Sequence, residues 1–174
     1  MTTLRGLLDL LDGAPWIDAI DPNRCAENKT RQLRLAQALG LEIPPTLITA
    51  DPRAARAFHA RHDGRVIAKL QTSLGHSMAG GGGLPTRLLR PSDLDALDGL
   101  RGCPMVFQRY VPKARELRIA WVDGLAFAGG LDGARCGVDW RYECTAEWEP
   151  HALPAAVHAR LAALMTRLGL RQGA

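Results

Sequence analysis

The sequence predicts an α+β fold, with mixed and antiparallel sheets and flanking helices. Three observations lead there. Helical and alternating apolar patterns interleave without a strand–helix–strand rhythm. Asp123-Gly124 joins two strand-like runs, ELRIAWV and LAFAGGL, in a dipeptide that two-residue hairpins favour. The stretch RVIAKLQTSLGHSMAGGGGLPTRLL runs from an apolar strand through a glycine run and back into a second strand-like segment.

The elements follow in chain order. Leu4, Leu7, Leu8 and Leu11 fall at helical spacing, which predicts a short amphipathic helix over 3–12 closed by Gly13. Asp21-Pro22 opens a helix that runs to Leu39 and stops before Gly40. LEIPPTLIT reads as an extended segment whose prolines assign it to an entry loop or a sheet edge. Asp51-Pro52 caps a helix that lasts to about His62. Val66 to Leu70 is a strand, and LPTRLL is its return across the glycine loop. SDLDALDGL is a short helix from Ser92, and PMVFQRYV is the most strand-like run. PAAVHARLAALMTRL is a helix ended by Gly169.

Composition is that of an ordinary globular chain of 174 residues, 47% hydrophobic and 23% charged, which excludes disorder as the main state. No run approaches the ~20 apolar residues of a membrane span. The N-terminus, with Arg5 and two aspartates in its apolar run, does not read as a secretory signal. Cys25, Cys103, Cys136 and Cys144 are scattered without a C-x-x-C pair, so they read as reduced thiols of a cytoplasmic protein. The net charge of +4 is spread along the chain, and aromatic residues are 5%. That balance suits a polyanionic small ligand, while stacking platforms for nucleic acid are scarce.

The chemistry starts at Lys69. A lysine that ends an apolar strand is costly unless an anion meets it. The glycines Gly80, Gly81, Gly82 and Gly83 after it let backbone N–H groups approach a phosphate, although a glycine run is also what a mobile hairpin tip looks like. PMVFQRYVPKARELRIAW offers the rest of a nucleotide site. Pro112 ends the run Gln108-Arg109-Tyr110-Val111 and leaves neighbouring backbone groups without sheet partners. Glu116 is placed to accept from ribose hydroxyls. Arg118 shares its strand face, so an ion pair between the two is the plainer alternative. His76 reads as a solvated loop residue, Trp121, Trp140 and Trp148 as packing, and His151 and His158 as one surface face rather than metal ligands.

Taken together, NRCAENKTRQLRLAQALGLEIPPTLITADP, VIAKLQ, FQRYVPKARELRIAWVDG and VDWRYE resemble, in order and spacing, the ATP-grasp ligases. The AENK-x-x-QL and FQ-x-YV-x-K-x-x-ELR runs are most similar to the branch that cyclises ribosomal peptides of the microviridin, or graspetide, type. The resemblance extends from about Trp16 to Gly169. It implies the central and most of the C-terminal ATP-binding subdomains. The first lobe spans about 14–60, the glycine-loop lobe about 61–112, and the second sheet and closing helix about 113–174.

The resemblance also implies roles. Lys29 and Lys69 would contact the ATP phosphates, and Gly80–Gly83 would form the loop over them. The backbone of Arg109, Tyr110 and Val111 would read adenine, with Gln108 beside it. Glu116 would bind ribose, while Arg118 and Arg141 would meet the γ-phosphate or an acyl phosphate. Arg109 stands where many relatives carry glutamate, and Tyr142-Glu143 stands where asparagine is common.

By the same resemblance, the enzyme would phosphorylate Asp or Glu side chains of a precursor peptide for attack by Ser or Thr hydroxyls or Lys amines. Its Mg²⁺ ligands would follow the helix that ends at Leu168-Gly169. The sequence stops at LGLRQGA, so we expect no metal ligands here, weak ATP affinity, little turnover, and exposed sheet surface that favours a homo-oligomer. A non-catalytic module that binds nucleotide or peptide is the alternative. A domain without any nucleotide site is the third reading, which would make the ordered segments a coincidence.

Overall fold

The computed structural model describes residues 6–8, 10–11, 15–71 and 85–174. The expected helix over 3–12 lies in large part outside the described residues, as do Gly80–Gly83 and His76.

Two four-stranded sheets organise the chain. Helices α1 (Ile20–Ala26) and α2 (Lys29–Ala38) lead to β1 (Thr46–Thr49) and α3 (Pro52–Arg61). Strands β2 (Val66–Leu70) and β3 (Arg87–Leu88) follow, then α4 (Pro91–Asp95), a 3₁₀ turn over Ala96–Gly102, and β4 (Met105–Arg109). The first sheet has the order β1-β4-β2-β3, all antiparallel. As the prolines require, β1 sits at its edge. The second sheet is built on the hairpin β5 (Arg115–Val122) and β6 (Leu125–Asp132). Asp123 and Gly124 turn it with φ of 49° and 93°, the left-handed pair that such a turn needs. Strand β7 (Glu149–Pro150) joins β6, helix α5 (Ala155–Leu168) follows, and β8 (Gln172–Gly173) joins β5.

The helix expected over 21–39 is two helices. Asn28 breaks it, because its side chain accepts from the Arg31 amide at 3.0 Å and caps a new N-terminus. Lys29 therefore becomes the first residue of α2 instead of a mid-helix residue. The cap at Asp51 is as expected, accepting from Arg53 at 2.9 Å with Pro52 in the first turn. Gly169 ends α5 in the left-handed conformation, φ 73°.

Side chains alternate across the first sheet. One face sends Val66, Ala68 and Phe107 into a core with Ala55 and Phe58 of α3 and Leu89, Leu97 and Leu100. Phe107 is fully buried there. Phe107→Ala is expected to destabilise the fold by about 3–5 kcal/mol, read as a lower denaturant midpoint at unchanged slope. The opposite face carries Thr46, Ile67, Lys69 and Gln108, and these face no helix of that core.

The second sheet is also two-sided. Ile119 and Trp121 face α5, where Trp121 is buried and its ring lies 5.1 Å from that of His158. His158 is thus packed against an indole and is not part of a surface face with His151, which meets Arg115 at 3.0 Å. Together with α1, α2 and α5, this side lines an apolar groove of about 480 Å³. The other face carries Glu116 and Arg118 and then leaves Val122, Leu125 and Phe127 largely exposed. Asp18 is buried and fastens the C-terminal strand by accepting from the amides of Arg171 (2.8 Å) and Gln172 (3.0 Å).

The cysteines correct one expectation. Cys136 and Cys144 are joined as a disulfide that closes the loop between them, while Cys25 and Cys103 are free and exposed. The backbones of Cys136 and Cys144 face each other as an isolated antiparallel bridge, a proximity that sequence spacing alone does not reveal. Among the described residues, no helix is long and apolar enough to cross a membrane.

Candidate functional site

The site begins with two lysines from different elements. Lys69 leaves β2 on the sheet face away from the core. Its ammonium donates to Gln108 Oε1 at 3.1 Å on the neighbouring strand. Gln108 is buried and is itself held by donating to Thr46 Oγ1 at 2.7 Å on β1. Three strands therefore aim one ammonium group. Lys29, at the N-terminal turn of α2, donates to the Gln71 carbonyl just beyond the end of β2. Burial first, and the positive charge of Lys29 second, hold the Lys69 pKa below its ordinary value. Among the described residues, neither lysine pairs with a carboxylate. Two cations brought together around neutral acceptors form a site that an anion would stabilise.

A third cation approaches through β3. The antiparallel pair Ala68↔Arg87 places Thr86, the next residue back, beside Lys69. The Thr86 amide donates to Asp139 Oδ2 at 3.0 Å. Asp139 is buried and takes Arg141 in a two-pronged pair, with Nε to Oδ1 at 2.8 Å and Nη2 to Oδ2 at 2.6 Å. The hydrogen bond from Arg141 depresses the Asp139 pKa, against the opposing effect of burial. The same bond raises the pKa of Arg141, whose side chain stays exposed beyond the pair. Asp139 thus ties the return of the glycine loop to an arginine on the second sheet's loop. Sequence reasoning named Arg141 and missed Asp139, although the two share VDWRYE two residues apart.

The adenine segment is partly committed elsewhere. The Arg109 amide donates to the Pro45 carbonyl at 2.9 Å and the Tyr110 amide to the Arg65 carbonyl at 2.8 Å. Val111 is exposed, and its amide has no backbone acceptor among the described residues. The break before Pro112 therefore frees one backbone donor rather than three. The Tyr110 ring lies under the Arg65 guanidinium at 5.9 Å.

Glu116 does not pair with Arg118. It accepts from Lys113 Nζ at 2.7 Å, a residue that sequence reasoning passed over. Arg118 is exposed on the same sheet face and stands opposite Gly129. A Cβ at Gly129 would come within 3.0 Å of the Trp148 ring, so glycine is what lets that indole lie on the sheet beside Arg118. Trp140 packs edge-on against Trp148 at 5.2 Å.

The residues named from sequence thus gather in linked groups. Lys29, Lys69 and Gln108 share one polar cluster. Arg141 reaches the Lys69 strand end through Asp139 and Thr86. Glu116 and Arg118 lie on the second sheet, linked to the Arg141 loop through Lys113 and the Val138 carbonyl (3.3 Å). Gly80–Gly83 lie outside the described residues. Among the described residues, no cluster of three or more His, Cys, Asp or Glu residues is arranged to hold a metal ion.

Comparison of the sequence with protein-family models and with curated proteins returns no match. Solved structures do match. The macrocyclase MdnC of Microcystis aeruginosa MRC, solved with its precursor peptide MdnA, is 34% identical with a TM-score of 0.82, over 99% of this chain and 54% of that one. A RiPP-associated ATP-grasp ligase of Chryseobacterium gregarium, solved with ADP and a leader and core peptide, is 29% identical with a TM-score of 0.86, over 99% and 53%. The macrocyclase MdnB of Microcystis aeruginosa MRC is 39% identical with a TM-score of 0.76, again over 99% and 53%. The chain has the α+β ATP-grasp fold, and the proteins it is similar to are peptide-modifying ATP-grasp ligases of which it spans about half the length.

Proposed function

We propose that this chain carries the nucleotide-binding part of an ATP-dependent peptide ligase. The observation that carries the proposal is the Lys29–Lys69 pair, two ammonium groups gathered by separate elements around neutral Gln108 and a carbonyl. A triphosphate supplies the charge this arrangement lacks. Adenine would meet the Val111 amide, which has no backbone acceptor among the described residues, and ribose would meet Glu116. Arg141, fixed by Asp139, would stand at the outermost phosphate.

ATP, when bound, supplies the phosphoryl group that activates a carboxylate for attack. The protein's share is positioning and neutralisation of developing charge. Arg118 is exposed beside Trp148 and would receive the carboxylate of the peptide. MdnC was solved with its precursor peptide and the Chryseobacterium gregarium ligase with a leader and core peptide, which supports a ribosomal precursor peptide as partner, with Asp or Glu side chains as the carboxylates. Ser or Thr hydroxyls or Lys amines of that peptide would then attack. The described residues offer no ligand set for Mg²⁺, so no step is assigned to it here.

Calorimetric titration of the unmodified chain with a non-hydrolysable ATP analogue and Mg²⁺ tests the proposal. Saturable binding at one site is expected. Absence of binding at millimolar analogue would overturn it. A binding module without ligase chemistry would also bind the analogue, but would form no ester or amide when ATP and a precursor peptide are supplied together.

A further inference from the structure

Lys113 has no part in the roles assigned so far, yet it sits where three parts of the site meet. Its side chain is only 16% exposed. Nζ donates to Glu116 Oε2 at 2.7 Å and to the Val138 carbonyl at 3.3 Å. Val138 precedes Asp139, the residue that fixes Arg141. The backbone of Lys113 is equally constrained. A Cβ on Gly133 would stand 2.2 Å from the Lys113 carbonyl oxygen, so that chain approach tolerates only glycine. The Gly133 amide also donates to the Ala114 carbonyl at 3.0 Å. A lysine whose main chain is clamped and whose ammonium is shared between a carboxylate and a loop carbonyl has little freedom left.

Resting on the nucleotide reading above, we infer that Lys113 is a positioning residue for ribose recognition. It holds Glu116 by one oxygen, which leaves the other oxygen and its direction set for the ribose hydroxyls. Through Val138 it also registers the loop that carries Arg141 to the same nucleotide. An unheld glutamate on an exposed hairpin edge samples several rotamers and loses that entropy on binding. A held one has already lost it. The pair also keeps a carboxylate close to a triphosphate site by balancing its charge.

The test separates ribose recognition from phosphate binding. The dissociation constants of an ATP analogue and of its 2′,3′-dideoxy counterpart are measured on the unmodified chain and on Lys113→Met, Glu116→Gln and the double variant. On the unmodified chain the ribose form binds about tenfold tighter. Lys113→Met and Glu116→Gln each bring that ratio close to one, the double variant goes no further, and Lys113→Arg restores part of it. Should Lys113→Met not fold, Lys113→Gln takes its place with the same expectation of a lowered ratio. An equal weakening of both nucleotides, which leaves the ratio unchanged, would make Lys113 a phosphate ligand, and unchanged affinities for both would make it structural; either overturns the inference. If the unmodified chain bound neither nucleotide, the nucleotide reading itself would fall, and the two failures are thereby told apart.

Discussion

Lys69→Ala is expected to weaken binding of a triphosphate analogue by about 10–100-fold, the worth of one charge-assisted hydrogen bond in a partly buried site. The fold should survive, because Lys69 points away from the Phe107 core and its removal relieves repulsion with Lys29. Circular dichroism and a thermal melt check that half of the expectation. The lowered pKa of Lys69 adds a pH signature. Its folded pKa lies below the unfolded value, so the free protein gains stability as pH rises between the two. Below the folded value the ammonium must be charged in both states. A bound triphosphate reverses the bias and favours the ammonium form. Binding is therefore expected to take up a proton at alkaline pH, seen as a calorimetric enthalpy that varies with buffer ionisation heat. Affinity should fall at a pH below that of an ordinary lysine. Lys69→Ala abolishes both effects.

Asp139→Ala is expected to have the second-largest effect. It removes the acceptor of the Thr86 amide and of Arg141 Nε and Nη2 together. Loss of those bonds costs about 1–3 kcal/mol of stability, since one buried carboxylate satisfied all of them. Arg141 is half in solvent and is left mobile rather than stranded. Affinity for the triphosphate analogue should drop more than affinity for the diphosphate, because the arginine being lost is the one assigned to the outermost phosphate. The pH dependence of stability follows from the depressed Asp139 pKa. The pair contributes fully above the unfolded aspartate value of about 4 and is lost as pH falls through the lower folded value. Acid unfolding of Asp139→Ala should therefore be less steep below about pH 4 than that of the unmodified chain. Denaturant melts at stepped pH measure the difference.

Local chemistry made much of the fold legible. The Asp123-Gly124 turn, the Asp51-Pro52 cap, the Gly169 stop and the edge placement of the Pro44-Pro45 segment each depend on a few adjacent residues whose backbone preferences are strong. The break at Asn28 escaped because Leu33, Leu35 and Leu39 continue a helical pattern beyond it, and a cap inside a periodic run looks like any polar residue. Strands β7 and β8 have two residues each, too few for any period to show.

The site divides along the same line. Lys69 and Glu116 were named from residue type, and Lys29 and Arg141 from the resemblance to a family. Apart from Gln108, their partners were not, because a hydrogen bond such as Thr86 to Asp139 joins positions 53 apart and leaves no mark on either segment alone. Glu116 shows the opposite hazard. By sequence only Arg118 was weighed as its ion-pair partner, and Lys113 was passed over. Only the turn before β5 decides for Lys113, while the pleat leaves Arg118 exposed on the open face, without a carboxylate partner among the described residues.

The convergence of separate cations on one triphosphate is tested most directly by a phosphate ladder. Adenosine, AMP, ADP and the triphosphate analogue are titrated in turn into the unmodified chain and into Lys29→Met, Lys69→Ala double-substituted protein. Affinity is predicted to climb with each phosphate on the unmodified chain and to stay flat across the ladder on the variant. A flat ladder on the unmodified chain, with adenosine binding as well as the triphosphate analogue, would contradict the account.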